Sequence, residues 1–183
     1  MKEVIISIKA FIIFSILLGL IYPLAMTGIA QVSFPKQANG SLIKENNQVV
    51  GSSLIGQKFD KPEYFHSRPS AVDYNAESSG ASNLGPSSKK LIERVHNAVE
   101  KENFSQKNIP ADAVLTSASG LDPDISIENA KAQIPRVSRA RGVSESKIKK
   151  LIYENIDHDF IGIWGQNSVN VLKLNIELDK VYK

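Results

Sequence analysis

Residues 10–32 read AFIIFSILLGLIYPLAMTGIAQV and contain no charged side chain. A helix rises 1.5 Å per residue, so this run reaches about 34 Å, enough for a hydrocarbon core of about 30 Å. Outside it the chain changes character. Residues 33–183 carry 20 Lys and Arg against 18 Asp and Glu, and the mean hydropathy of −0.15 averages two unlike parts. A fully soluble cytosolic protein is the first class this argues against. The organisation expected is a short N-terminal segment (1–9), a transmembrane helix (10–32) and a polar domain (33–183).

Pro23 sits inside the apolar run. It would break a helix in water, but membrane helices accommodate it with a kink. Tyr22 falls near mid-depth, where its hydroxyl needs a partner and points to a neighbouring helix. Gly19 and Gly28 permit close helix approach without forming GxxxG. Gly19, Tyr22, Pro23 and Gly28 are therefore the candidate membrane-helix contacts. Lys2 and Lys9 precede the run, which by the positive-inside rule puts the N-terminus in the cytoplasm and residues 33–183 outside it. The competing reading is a cleaved signal peptide with Gly28-Ile29-Ala30 at the cleavage site, but the apolar stretch exceeds the usual h-region.

In the polar part, residues 33–48 suggest a linker or hairpin turn, and Val49 to Phe59 a strand-turn-strand. Residues 60–90 are rich in Ser, Gly, Pro and Asn but hold Tyr64, Phe65 and Tyr74, so they read as a long ordered loop. A helix is expected from Pro86 to about Phe104. A second starts after Ser126 as N-cap, with Ile127, Ala130, Ile134, Val137 and Ala140 on its apolar face. A third follows Ser144, with Val143 and Ile148 spaced as a hydrophobic staple; Gly162 and Gly165 then end the helical region. Leu172, Leu174, Ile176 and Leu178 alternate with polar residues and predict a half-buried final strand. The fold class expected is α/β (α+β): three helices and a few strands on one small sheet, carried on a single N-terminal transmembrane helix.

Chemistry-bearing motifs are sparse. The chain has no cysteine, which removes disulfides, thiolate nucleophiles and a lipoprotein anchor. His66, His96 and His158 match no zinc spacing, so no metal site is expected. Ser119-Gly120-Leu121-Asp122 lacks the GxSxG elbow and reads as a turn, although a surface hydrolase using Ser119 with His66 or His158 is a reading to test. No Walker or GxGxxG loop is present. Gly80 to Ser88 precedes a helix and suits capping. Seven basic side chains lie between Lys131 and Lys150, opposed by Glu145 alone. A solvated helix face is the plain reading, and lipid headgroups or an acidic partner suit an extracytoplasmic domain better than nucleic acid. Tyr64, Phe65 and Tyr74 flank Arg68-Pro69-Ser70, either as a partner-contact cluster or as a local cap.

Six blocks occur in a fixed order behind the span. They are Gly51-Ser52-Ser53-Leu54-Ile55-Gly56-Gln57 with Tyr64-Phe65-His66-Ser67-Arg68-Pro69-Ser70-Ala71; Tyr74-Asn75; Gly80-Ala81-Ser82-Asn83-Leu84-Gly85-Pro86; Thr116 to Pro123; Gln133-Ile134-Pro135-Arg136-Val137; and Val169 to Asn175. Together they resemble the C subunit of the Kdp potassium-transporting ATPase over nearly the whole chain. The family's SGSGLDPHISP block reads SASGLDPDISI here, with Asp124 and Ile127 where His and Pro are common.

The resemblance implies an accessory, non-catalytic subunit of a high-affinity, ATP-driven K⁺ uptake complex in the cell membrane. Its partners would be a K⁺-translocating A subunit, an ATP-hydrolysing B subunit, a small F peptide and membrane lipids, with no nucleic acid. ATP and K⁺ would be handled by the complex, and no cofactor is expected on this chain. The family is described as a catalytic chaperone that raises ATP affinity; with the domain outside, that effect must be indirect. The partner-contact candidates are Arg68, Pro69, Tyr74, Asn83, Gly85, Gln133 and Arg136. The alternative is a membrane-anchored extracytoplasmic binding module acting alone.

Overall fold

The computed structural model describes residues 1–102, 109–158 and 165–182, and the chain forms two compact units, Met1–Val50 and Gly51–Lys183. In the first, a 32-residue helix runs from Lys2 to Ser33 with every side chain from Lys2 to Ile29 solvent-facing or half-buried, and it is long and apolar enough to cross a membrane. It starts eight residues before the uncharged run. Regular helix α1 (Lys2–Ile16) passes into a π turn (Leu17–Ile21) and then α2 (Tyr22–Ser33). Pro23 explains the π turn. Its ring would collide with the carbonyl of Gly19 and it has no N–H to donate, so the preceding turn widens and the Tyr22 N–H donates to the Leu17 carbonyl. Thr27 Oγ1 donates to the Pro23 carbonyl at 2.8 Å.

A short α3 (Pro35–Ala38) follows, then β1 (Leu42–Glu45) and β2 (Gln48–Ser52), paired as a hairpin. Asn46 and Asn47 both take positive φ, the backbone a two-residue hairpin turn requires and one asparagine tolerates.

The second unit contains α4 (Lys89–Glu102), α5 (Ala111–Val114), β3 (Asp124–Ser126), α6 (Ile127–Arg141), α7 (Glu145–Glu154), β4 (Ile156–Asp157), β5 (Ser168–Asn170) and α8 (Val171–Val181). The three short strands form an antiparallel sheet in the order β3-β5-β4, with Val169 opposite both Ile125 and Ile156. Its core joins Ile125 and Val169 of the sheet to Val137 of α6, Ile148 and Ile152 of α7, Leu174 and Leu178 of α8, and Phe65 of the long loop. Full burial of Phe65 is worth roughly 2–3 kcal/mol, which ties that loop to the core.

Helix α6 is capped as expected: Ser126 Oγ accepts from the Asn129 N–H at 3.0 Å, and Gly142 ends it in the left-handed region at φ 65°. It runs on through Pro135, and Ala140 is exposed. In α7, Ile148, Leu151 and Ile152 form the buried face, with Val143 packed against the core.

Four expectations need correction. The final alternating segment is helix α8, not a strand. Its buried positions are Val171, Leu172, Leu174, Asn175 and Leu178; Val171, Leu174, Asn175 and Leu178 make the i, i+3, i+4, i+7 set of a helix face, and Asn175, which a strand would turn to solvent, is 2% exposed. Helix α4 starts at Lys89, because Pro86 belongs to a turn closed by the Ser88 N–H on the Gly85 carbonyl. The strands form a hairpin and a separate three-stranded sheet rather than one sheet, and helices number more than three among the described residues. The third helix ends at Glu154, well before Gly165. Phe104 and Gly162 lie outside the described residues.

Candidate functional site

Residues 57–86 have little regular secondary structure, yet α6 and α8 read their backbone closely. A run of unpaired peptide groups cannot be buried without partners. Here side chains supply them. Asn175 Oδ1 accepts from the Phe65 N–H at 2.8 Å, and Asn175 Nδ2 donates to the Phe65 carbonyl at 2.9 Å. Gln133 repeats the arrangement one residue on: Oε1 accepts from the His66 N–H at 2.7 Å and Nε2 donates to the His66 carbonyl at 3.1 Å. Arg136 donates to the carbonyls of Pro62 and Tyr64, both at 2.8 Å. Arg141 donates to the carbonyls of Glu63 and Tyr182 and to Asp179 Oδ1 at 2.6 Å, with its guanidinium 5.0 Å from the Tyr64 ring centre. Amide and guanidinium groups thus do for residues 62–66 what a neighbouring strand would do.

The clamp is itself held. Gln133 Nε2 also donates to Asn129 Oδ1, Asn129 Nδ2 donates to Asp112, and Asp112 accepts from the Ser126 N–H and hydroxyl. Asn129, Gln133 and Arg136 follow helical spacing along one edge of α6, beside the apolar Ala130, Ile134 and Val137. That polar stripe is legible in the sequence; the loop it clamps is not.

Glu102 closes the other side. Its carboxylate lies 2.6 Å from His66 Nδ1 and 3.2 Å from Arg136 Nε, with 12% of its side chain exposed. Burial alone would raise its pKa. The His66 hydrogen bond and the charges of His66, Arg136 and Lys101 outweigh burial and hold it below the ordinary carboxylate value. Burial in turn lowers Arg136, against the pull of Glu102. Both His66 ring nitrogens face acceptors, Glu102 Oε1 and, at 3.1 Å, the Lys61 carbonyl.

Next to this cluster is a cavity of about 320 Å³, lined by Lys58, Asp60, His66, Ser67, Ser70, Asp73, Tyr74, Lys101, Glu102 and Gln133 among others. Burial pushes the Tyr74 phenol up to about 12, with help from Asp60, Asp73 and Glu102. The phenol donates to the Arg68 carbonyl at 2.7 Å. Arg68 pairs with Asp122 at 3.0 Å, and the Pro69 carbonyl accepts from the Ser117 N–H. Ser70 Oγ donates to the Gly120 carbonyl and accepts from the N–H groups of Val72 and Tyr74.

The candidate contact residues therefore separate. Gln133, Arg136, Arg68 and Tyr74 engage this chain's own loop and its supports, and Pro69 is half-buried. Asn83 and Gly85 are exposed, Asn83 at φ 51°. Of the seven basic residues, Arg136 and Arg141 turn inward, and Lys131 sits 5.3 Å from the Tyr153 ring centre. Ser119 behaves as a turn residue: its hydroxyl accepts from the Leu121 N–H, and Gly120 takes φ 69° with no room for a Cβ beside Val72 and the Gly80 carbonyl. With the His66 ring committed to Glu102 and Lys61, Ser119 and His66 form no nucleophile–base pair. Among the described residues no three His, Asp or Glu side chains gather to hold a metal ion.

Comparison with known proteins gives one consistent result. The family described as KdpC, the K⁺-transporting ATPase c chain, matches residues 4–180. The potassium-transporting ATPase KdpC subunit of Rhodopseudomonas palustris strain TIE-1 is 48% identical over 196 residues, covering 98% of this chain and 97% of that protein. The KdpC subunit of Caulobacter vibrioides strain NA1000 is 54% identical over 176 residues, covering 93% and 89%. That of Gloeobacter violaceus is 49% identical over 185 residues, covering 99% and 97%.

Proposed function

This chain belongs to the KdpC family of potassium-transporting ATPase subunits, and from that premise we propose that it is a non-catalytic subunit needed to assemble and stabilise a high-affinity, ATP-driven K⁺ uptake complex. The observation that carries the reading is how the polar side chains of the second unit are used. Asn175, Gln133, Arg136 and Arg141 hold residues 62–66 in place, so the unit invests its buried polar groups in the shape of a loop rather than in a reacting centre.

In this reading K⁺ and ATP are handled by an A subunit that translocates K⁺ and a B subunit that hydrolyses ATP, with a small F peptide beside them. The N-terminus lies in the cytoplasm and the polar domain outside. Gly19, Tyr22, Pro23 and Gly28 face partner helices, and exposed Asn83 and Gly85 face a partner outside the membrane. Any rise in ATP affinity travels through the spanning helices as a coupling between conformations.

Deletion of the chain should abolish growth at micromolar K⁺ and leave growth at millimolar K⁺ intact; normal uptake by a complex lacking it would overturn the proposal. Protease added to spheroplasts should cut within residues 33–183. Protection of the domain there, with cleavage in inverted vesicles, would reverse the topology.

A further inference from the structure

We infer that the β1–β2 hairpin is a lipid-seated element, resting the apolar side chains of one face, Leu42 and Val49, in the headgroup layer where the spanning helix emerges. The inference requires the helix to cross a bilayer but is independent of the assembly role and of which leaflet is met.

Gln31 is the penultimate residue of the uncharged run, so it sits at the edge of the hydrocarbon. Asn39, eight residues later, has not moved away from it: Asn39 Nδ2 donates to Gln31 Oε1 at 3.0 Å and to the Pro35 carbonyl at 2.7 Å. The Ser41 N–H donates to the Lys36 carbonyl at 2.9 Å. The chain is thus folded back on the last turn of the helix. Residue 39 lies within a side chain's length of residue 31, and β1 starts three residues on, within about 10 Å of it. The interfacial layer adds roughly 5–8 Å on each side of the core, so the hairpin starts inside or against it.

The chemistry of the hairpin suits that depth. Leu42 is 44% exposed and Val49 54%, with Phe34 at 61% on the turn between helix and hairpin. A two-stranded hairpin that leaves such side chains in water gains little from folding, whereas an interface removes them from water. Lys36 and Lys44 are exposed on the same stretch, where their ammonium groups meet phosphate while their stems lie along apolar surface. A rigid exit with an apolar hairpin and two lysines fits a headgroup layer better than open solvent.

The cysteine-free chain makes the test direct. Val49→Cys and Leu42→Cys, each labelled with an environment-sensitive fluorophore, are compared with Ser87→Cys in the full chain within its complex. The nanodiscs contain phosphatidylethanolamine and phosphatidylglycerol, with or without a doxyl group high on the acyl chain. Labels at 49 and 42 should be quenched by the doxyl lipid at least threefold more than at 87, and quenched less by iodide. Equal quenching at all three positions would overturn the inference. So would labels at 49 and 42 shielded from both quenchers, which would assign the hairpin to a protein partner. Loss of growth at low K⁺ tests the assembly role separately and does not bear on this result.

Discussion

Asn175 on α8 and Phe65 in the long loop are 110 residues apart and exchange two hydrogen bonds, so one side-chain amide satisfies both backbone groups of a residue buried at the centre of the core. Replacing Asn175 with leucine keeps the branched shape but orphans both groups. The expected loss is about 2–6 kcal/mol, at roughly 1–3 kcal/mol per unsatisfied buried group. A lowered urea midpoint with an unchanged slope would verify it. Gln133→Leu acts on the adjacent residue, so the double variant should lose less than the two single losses added, because either break already releases the shared segment.

Glu102 sets an acid limit. Its folded pKa lies below its unfolded value, so the ionised form adds stability that is fully present above the ordinary carboxylate range and is lost as pH falls through the folded value. Wild type should therefore exceed Glu102→Gln in melting temperature at pH 7, and the gap should close below about pH 4. A gap independent of pH would assign the effect to packing instead.

Tyr74 sets the alkaline limit. Its phenol is raised to about 12 in the fold. The sign is the reverse in pH: this contribution is whole below the unfolded value of about 10 and disappears as pH climbs toward the folded one. One tyrosine should ionise near 12 in a phenolate absorbance titration, and Tyr74→Phe should delete that step and flatten the stability profile above pH 10.

Pro23 sets the geometry of the membrane helix. Pro23→Leu lets the π turn close into regular α-helix, which rotates the residues after it by about 100° against those before. The contact face proposed for Gly19 and Gly28 is then broken. The variant should insert normally but co-purify poorly with the other subunits; full recovery of the complex would show that the π turn is not used in assembly.

Much of the fold was legible where one physical signal dominated. The apolar run, the Ser126 cap, the Ile148 face and the ordered loop follow from hydropathy, capping chemistry and aromatic content. Helix α8 was misread because its even-numbered leucines mimic a strand while its true face includes a buried asparagine. Period alone cannot separate the two when a core residue is polar. The clamp escaped for the same reason. Gln133, Arg136 and Arg141 look like a solvated helix face until the loop 70 residues upstream is laid against them, and only the tertiary fold does that.

The central claim is that this chain holds a transport complex together through a shaped, non-reacting domain. The most direct measurement is purification of the complex on a tagged A subunit, from cells with and without this chain, scored for recovered B subunit and K⁺-stimulated ATP hydrolysis. The account predicts that B subunit and activity are lost without the chain, return with wild type and Ser119→Ala, and return weakly with Asn175→Leu. Full recovery of subunits and K⁺-stimulated hydrolysis without the chain would contradict it.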